Sequence, residues 1–341
     1  LAKLVKSLTV FQRTPNYSIP ARNKKLTKTF IKNTLDKYNY IKNLLKKTPG
    51  GHAFHFSKKS IFEFTESKRL KILEKAWLNG GLSFRACFSD ITKKISANKI
   101  VSNFIRDKIK RIVKDKHIAK ILTDFGHPFT TKRPTLNTNY FEIFNRKNVQ
   151  LVDLKTNPII KITKKGIKTK NEELKFDKII FATGYDALTG PILSLNLTGR
   201  KNIKLKKYWK NGPKTFLGIM IPNFPNFFVI SGPGSPSVLT NVPAQIEQHV
   251  EWISKFIKYL KKVGCSKVEP GIKETENWVN EINILANKSL FMKAKNSWYK
   301  GDNIPGKPKK FIPYPAGLPQ YREICNKVQK KMYKGFNISL K

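Results

Sequence analysis

The sequence predicts an α/β fold that is interrupted by an all-helical insertion. Short apolar runs of strand length, bounded by Pro, Gly and Asn, lie on both sides of a Lys-rich block at residues 22–123. Within that block the apolar residues recur at the spacing of an amphipathic helix face. The chain has 341 residues, 40% of them hydrophobic and 11% aromatic, which is enough for about two folded domains with buried cores.

The first predicted elements are a helix and a strand. Apolar residues at helical spacing indicate the end of a helix over residues 1–8, namely Leu1, Leu4, Val5 and Leu8. A short buried strand is predicted next, at residues 8–11. A helix that leads into a strand is half of a βαβ unit, from which parallel sheets are built.

After the helical block the pattern predicts strands again. They are residues 149–154, 159–162, 178–182, 216–221 and 227–231. An amphipathic helix follows them, and its predicted apolar face consists of Ile246, Val250, Ile253, Ile257 and Leu260. The chain beyond residue 299 is rich in Pro and Gly, which is typical of turns.

Composition and motifs argue against several classes of protein. No apolar run approaches the roughly 20 residues that cross a bilayer, so we expect no membrane span. The cysteines Cys87, Cys265 and Cys325 are far apart, which argues against a disulfide framework and favours a reducing, cytoplasmic location. His52 and His55 have no further ligand in register for a metal, and no G-x-S-x-G elbow supports a triad hydrolase.

The net charge of the chain is extreme. There are 67 Lys and Arg against 22 Asp and Glu, a formal charge of +45. Such a charge is typical of nucleic-acid binders, and it also favours contact with anionic lipid. The lysines are scattered through every segment rather than gathered in a stripe with stacking aromatics, which argues against a nucleic-acid site. A basic nucleic-acid-binding protein stays the alternative from a different functional class.

A candidate phosphate-binding pair follows the first predicted strand. In a dinucleotide-binding βαβ unit the residue after the second strand meets the adenosine ribose, and an arginine there can hold a 2′-phosphate. Arg13 and Thr14 occupy that place and would select NADP; the alternative is an exposed arginine in a very basic chain. No G-x-G-x-x-G fingerprint occurs in the 341 residues, because Gly232-Pro233-Gly234 is followed by Ser237 where the third glycine belongs.

Eight segments spread over almost the whole chain form a further pattern. They are VFQRTPNYS at residues 10–18, KRP at 132–134, NY at 139–140, NV and LVD within 148–153, FATGYD at 181–186, SGPGSPSVLTN at 231–241, IEQHVEW at 246–252, and Trp298 with NIPGKP at 303–308. In order and spacing they resemble the Baeyer-Villiger monooxygenases of the cyclohexanone and phenylacetone monooxygenase type, which are class B flavin-containing monooxygenases.

The resemblance implies a flavoprotein with two dinucleotide-binding domains, for FAD and NAD(P), of the Rossmann-like kind and with an all-helical insertion. It places the end of the NADP-binding domain at residues 1–21 and the helical insertion at 22–134. The remainder of the NADP-binding domain would be 135–185. Residues 186–341 would be the C-terminal part of the FAD-binding domain, with the substrate loop and the C-terminal tail.

The resemblance also implies an oxidoreductase that uses FAD and NADPH. NADPH reduces the flavin, O2 adds to give a peroxyflavin, and one oxygen atom is inserted next to a ketone carbonyl to yield an ester or lactone. N- or S-oxygenation by another class B enzyme is the nearer alternative. The implied partners are a small ketone and O2, without specific nucleic acid, and the protein is expected to be a monomer.

Individual roles follow from the family motifs. Arg133 matches the catalytic arginine, which supplies a fixed positive charge beside a developing peroxide anion. Lys132, Arg13 and Thr14 match the residues that hold the 2′-phosphate of NADP. Trp298 matches the residue that contacts the nicotinamide ribose.

The remaining matches concern the flavin and the substrate, and the sequence also departs from the family. Val242 falls at a flavin-contacting position, and the ketone pocket is expected to involve Ser237, Val238 and Leu239. Thr130 stands where a glycine is common. Both glycine fingerprints of the family would precede Leu1, so we expect an N-terminally truncated copy that is inactive by itself.

Overall fold

The computed structural model describes residues 1–340, in which short strands alternate with helices. The strands are β1 (Leu8–Gln12), β2 (Ser18–Pro20), β3 (Thr135–Asn137), β4 (Val149–Asp153), β5 (Ile159–Ile162), β6 (Gly166–Thr169), β7 (Glu173–Lys175), β8 (Cys265–Pro270) and β9 (Phe336–Leu340). The helices are α1 (Lys28–Asp36), α2 (Tyr38–Lys47), α3 (Glu66–Asn79), α4 (Ile95–Ile112), α5 (Lys116–Thr123), α6 (Gly190–Ser194), α7 (Leu205–Tyr208), α8 (Val242–Lys262), α9 (Ile272–Asn287) and α10 (Leu318–Lys330). None of the helices within residues 1–340 has the length and apolar character needed to span a bilayer.

Two parallel strand pairs bracket the helical block. β1 pairs with β4 from Leu8 opposite Val149 to Gln12 opposite Asp153, and β2 pairs with β3. Helices α1 to α5 lie between the two members of each pair, so the chain leaves a parallel arrangement and returns to it through a long crossover. This confirms the predicted α/β class, while the domain boundaries stay predictions.

The helical block has its own core. On α4 the residues Val101, Phe104, Ile105 and Ile109 are buried, as their spacing predicts. Trp77 of α3 packs edge-on against Phe104, with ring centroids 6.0 Å apart. The apolar face of each helix is therefore stabilised by its neighbours rather than by its own helix propensity.

A second core surrounds α8, and it corrects the face predicted for that helix. Trp252 and Phe256 are buried against the region of β9, whereas Ile246, Val250 and Ile257 are each more than a third exposed. Aromatic side chains bury more apolar surface than aliphatic ones, so the helix turns its aromatic side inward.

Two predicted elements do not form. Residues 1–8 make turns up to the start of β1 instead of a helix, because two helical turns are too short to be stable without packing and Leu4 is 85% exposed. Residues 178–182 are not a strand, since no strand within residues 1–340 lies beside them to pair with their backbone groups. Ile180 and Phe181 are consequently 73% and 67% exposed.

The predicted strands at residues 216–221 and 227–231 form only isolated bridges. The backbone turns sharply at Leu217 and Gly218, whose φ angles are 56° and 69°, and the Phe216 amide donates to the Met220 carbonyl over 2.9 Å. A positive φ interrupts an extended strand, although the segment is still buried. The structure also contains elements that the sequence patterns missed: β2, β3, β6, β7, β8, β9, α6, α7, α9 and α10.

Three long-range backbone hydrogen bonds join the helical block to the second core. The amides of Asn241, Leu318 and Leu290 donate to the carbonyls of Gly50, Pro49 and Thr92, over 2.7, 2.9 and 2.9 Å respectively. They fix the walls of the space between the two cores.

His249 on α8 is fully buried in a polar network. The Ser231 amide donates to its Nδ1 over 3.2 Å, so the neutral ring carries its proton on Nε2, which lies 2.6 Å from the Tyr321 hydroxyl oxygen. That hydroxyl donates to the Leu217 carbonyl over 2.5 Å. Burial lowers the pKa of His249 to about 4, so the folded protein holds this ring neutral.

We predict that the free energy of unfolding falls as the pH drops from about 6.5 towards 4. The unfolded chain takes up protons at its histidines in that window, whereas burial lowers the pKa of His249, His52 and His127 to about 4 in the folded protein. At pH 5 each contributes a loss of about 1 to 2 kcal/mol. Thermal melts of His249→Gln should show a weaker pH dependence than the parent. His117, exposed on α5, is the control, and equal slopes for both variants would contradict the interpretation.

Thr130, in the loop between α5 and β3, has a strained backbone. Its φ is 69°, a left-handed conformation that is uncommon for a β-branched residue, and its hydroxyl is buried without a hydrogen-bond partner within residues 1–340. Glycine is common at this place in the family that the sequence resembles, and glycine adopts this conformation freely.

We predict that Thr130→Gly stabilises the protein by about 1 kcal/mol, because it removes both the strain and the unpaired hydroxyl. The control is Thr131→Gly: Thr131 has no positive φ, and its hydroxyl donates to the Pro128 carbonyl over 2.7 Å, so this change should destabilise. Melting temperatures of the two variants should shift in opposite directions. A lower melting temperature for Thr130→Gly would refute the strain.

Candidate functional site

The loop that carries Lys132 and Arg133 is anchored by Tyr17. The Tyr17 ring stacks on Phe125 with centroids 3.7 Å apart, and its hydroxyl hydrogen-bonds to the His127 carbonyl over 3.1 Å. Tyr17 is buried, so this anchor joins the segment after β1 to the loop before β3 within the core.

Asn16 also links the segment after β1 to the loop before β3. Its side-chain amide donates to the Arg133 carbonyl over 2.8 Å, and its Oδ1 lies 3.3 Å from Nε2 of His127. Burial lowers the pKa of His127 to about 4, so the ring is neutral at physiological pH. Because Asn16 lies three residues after Arg13, these bonds bring the two basic motifs of the sequence together.

Lys132 lies in a cluster of charged side chains. Burial lowers its pKa, and the charges that act on it are those of Asp302, which raises the pKa, and of Arg13 and Lys300, which lower it. Lys300 and Asp302 form an ion pair at 3.1 Å, with side chains only 11% and 8% exposed. Arg13 and Thr14 are exposed. Three cations against one carboxylate leave a positive site that is open to an anion.

Arg133, the residue after Lys132, lies beside a cavity. Its Nη1 donates to the Val238 carbonyl over 3.3 Å. Pro134 follows Arg133 in the chain and Leu239 follows Val238. Both line a cavity of about 550 Å³ between the helical block and the second core. Ser237 is buried and, like Val238, is not among the lining residues.

Two arginines charge this cavity. Burial and, to a smaller extent, the charges of Arg85 and Arg133 together lower the pKa of His52 to about 4. Burial raises the pKa of Tyr299, a lining residue, to about 12, against the opposing effect of the same two arginines. Arg85 also lines the cavity, and the charge of Arg133 acts on Tyr299 in its wall, so both positive charges lie close to this space.

The remaining predicted residues lie around these features. Trp298 is half-buried, with its ring centroid 4.9 Å from that of Tyr299, which lines the cavity. Val242 is half-buried as the first residue of α8, directly after the loop of residues 231–241. Within residues 1–340 no group of His, Cys, Asp and Glu is placed to hold a metal ion.

Sequence reasoning missed five residues of this region: His52, Arg85, Tyr299, Lys300 and Asp302. Lys300 and Asp302 lie between Trp298 and the NIPGKP segment, so their proximity to a recognised motif was the available signal. Arg85 gave no signal, because one arginine among 67 basic residues is not distinctive until its burial is known.

Comparison with models of known protein families finds no match, but individual proteins match closely. Cyclohexanone 1,2-monooxygenase from an Acinetobacter species is 37% identical over 344 residues, covering 100% of this chain and 62% of that protein. A Baeyer-Villiger monooxygenase from Pseudooceanicola batsensis is 37% identical over 335 residues, covering 97% and 61%. The crystal structure of an OTEMO complex with FAD and NADP superposes with a TM-score of 0.95 at 32% identity, covering 99% and 63%.

The chain thus spans less than two thirds of the length of these proteins. The similarity extends over nearly all of this chain, and the neighbouring structure is a complex with FAD and NADP, which confirms the fold class predicted from the sequence. Sequence and fold together identify the chain as a relative of the Baeyer-Villiger monooxygenases of the cyclohexanone monooxygenase type.

Proposed function

We propose that the protein is an NADPH- and FAD-dependent monooxygenase that inserts one oxygen atom of O2 next to a ketone carbonyl, giving an ester or a lactone. The observation that carries this proposal is the placement of two successive basic residues. Lys132 belongs to an open cationic cluster, whereas Arg133 lies beside an enclosed cavity. A cofactor phosphate needs an open cationic cluster, and a reacting carbonyl needs a cavity with a positive charge beside it. The two sites must also be close together.

The cationic cluster fits the 2′-phosphate of NADPH. Arg13 offers a planar fork of donors and Lys132 a point charge, a combination that suits a phosphate dianion. Asp302 holds Lys300 in an ion pair, so the cluster is positioned before the phosphate arrives. NADH has no phosphate at this place, and the cluster would therefore select NADPH.

The loop of residues 231–241 fits a flat ligand such as the flavin. Ser231 has a buried hydroxyl without a hydrogen-bond partner within residues 1–340, and Val242 presents an apolar side chain at the start of α8. The bound flavin, reduced by NADPH, supplies the activation of O2. What the loop contributes is a surface of backbone and small side chains that a ring system can approach.

Arg133 supplies the electrostatic part of the reaction. A guanidinium is a fixed positive charge, so Arg133 would stabilise the negative charge that develops during oxygen transfer. The bond to the Val238 carbonyl and the bond from Asn16 to its own carbonyl hold it in place. A fixed charge in an enclosed space acts more strongly than one in water.

We further propose that the substrate is a small ketone, that Trp298 contacts the nicotinamide ribose, and that Leu239 shapes the substrate pocket together with Ser237 and Val238. Trp298 has an indole N–H that can donate to a ribose hydroxyl. The scattered lysines support a monomer that binds no specific nucleic acid, and the three free cysteines support a cytoplasmic location.

In a full-length enzyme that also carries both glycine fingerprints, we expect Lys132→Ala to raise the KM for NADPH about tenfold or more, because one charge-assisted contact to the phosphate is lost. The KM for NADH should change little. Steady-state NAD(P)H oxidation measures both. The matched control is Lys155→Ala, which removes a surface lysine paired with Asp124 and should alter neither value. Equal losses with both cofactors would exclude the assignment of Lys132.

For Arg133→Ala we expect FAD binding and reduction by NADPH to persist while ester formation falls about 10²- to 10³-fold, since a preorganised charge is lost. The readout is ester formed per NADPH oxidised, with flavin occupancy measured on the same sample. Arg111→Ala is the control, because Arg111 is exposed in the last turn of α4 within the helical block. Near-parental coupling in Arg133→Ala would remove the catalytic role.

A further inference from the structure

The side chain of Arg85 is held by packing in the wall of the cavity. It lies in a short turn between α3 and α4, with its guanidinium 5.7 Å from the ring centre of Phe56, another lining residue. A Cβ at Gly50 would approach Nη2 of Arg85 to 2.5 Å, so the glycine leaves the room that this side chain fills. The guanidinium is thus packed between an aromatic face and a side-chain-free stretch of backbone.

The charge of Arg85 has no partner inside the protein. Its Nε is inaccessible to solvent and makes no hydrogen bond within residues 1–340, and no carboxylate there forms an ion pair with it. Burial lowers its pKa, and the nearby charge of Arg133 lowers it further. Holding two like charges near one enclosed space is costly unless an anion joins them.

Arg322 shows the contrast. Its Nε is also buried without a hydrogen-bond partner within residues 1–340, but Glu251 and Glu247 act on it and raise its pKa against the effect of burial. Glu251 and Glu247 line the same small pocket as Arg322, between α2, α8 and α10, so carboxylates of the protein lie near its charge. Arg85 faces a cavity instead.

The other cations of the cavity wall need no special explanation. Lys93 and Lys288 are exposed, and water solvates them, as expected in a chain with so many lysines. No Asp or Glu is among the residues that line the cavity within residues 1–340. Arg85, whose Nε is buried and which has no carboxylate partner in the part of the chain that the structure describes, is the residue that points to a ligand.

We propose that this cavity takes a ketone that also carries a carboxylate, and that Arg85 binds the carboxylate while Arg133 faces the reacting carbonyl. The proposal rests on the proposed function and names the class of its substrate. A guanidinium fork matches a carboxylate with two parallel hydrogen bonds, here from the two Nη atoms, since Nε is inaccessible from the cavity. A volume of about 550 Å³ holds a ring-sized keto acid and is typical of small-molecule sites.

The test compares two ligands that differ only in charge: a cyclohexanone with a carboxylate on the ring, and the methyl ester of the same acid. Isothermal titration calorimetry on the purified protein measures binding of each, and product formation per NADPH measures oxygenation. We expect the acid to bind more tightly than the ester and to be the better substrate. In Arg85→Met this preference should fall between about tenfold and a hundredfold.

Two further variants sharpen the result. Arg85→Lys should keep part of the preference, since it keeps the charge but loses the fork. Arg322→Met is the matched control, because it removes a comparably buried arginine outside the cavity and should leave the preference intact. Thermal melts of each variant show whether it is folded, and the Arg85→Lys result decides the question if Arg85→Met is not.

The outcomes separate this inference from the proposed function. If the acid binds through Arg85 but neither ligand is oxygenated by an enzyme that also carries both glycine fingerprints, the proposed function fails and the anion site stands. If both are oxygenated equally and Arg85→Met changes neither binding nor rate, the inference fails and the proposed function stands. A higher KM for NADPH in Arg85→Met, without a change in the acid preference, would assign Arg85 to the cofactor and overturn the inference.

Discussion

The burial of Tyr17 is the constraint on which the candidate site depends. One aromatic side chain stacks on Phe125 and hydrogen-bonds to the His127 carbonyl, more than a hundred residues away in sequence. It closes the crossover that leaves the parallel strands after β2 and returns at β3. Without this closure Arg13 and Lys132 would belong to two separate segments, and neither would form a phosphate site by itself.

The loop that carries Lys132 and Arg133 contributes to both candidate sites, the charged cluster and the cavity, because these two residues contact different elements. Lys132 joins the charged group around the Lys300–Asp302 pair, while Arg133 reaches the Val238 carbonyl at the edge of the cavity. One short stretch of backbone thereby presents both the residue that we propose for a cofactor phosphate and the residue that we propose for the substrate. The strain stored at Thr130 sits just before this stretch, where the chain must turn sharply to present both side chains.

Both candidate sites contain more positive charge than the protein itself neutralises. The chain has 22 acidic residues against 67 basic ones, so most cations lack a protein partner and rely on water. On the surface this costs little, but in the cavity between the two cores it leaves Arg85 and Arg133 unneutralised. An enclosed positive space follows, and its natural complement is an anion, whether one brought by a ligand or one that develops in a reaction.

The sequence by itself determined the fold class, the helical block, strands β1, β4 and β5, and the family motifs around Arg13, Lys132 and Trp298, because these follow from local periodicity and from residue types in a fixed order. It did not determine which face of α8 is buried, nor that residues 178–182 lack a pairing partner. Only the tertiary structure brought Arg85 and Tyr299 to the wall of one cavity, with His52 and Arg133 close to them. The physical reason is that burial and electrostatic proximity arise between segments far apart in the chain, and a local pattern carries no record of them.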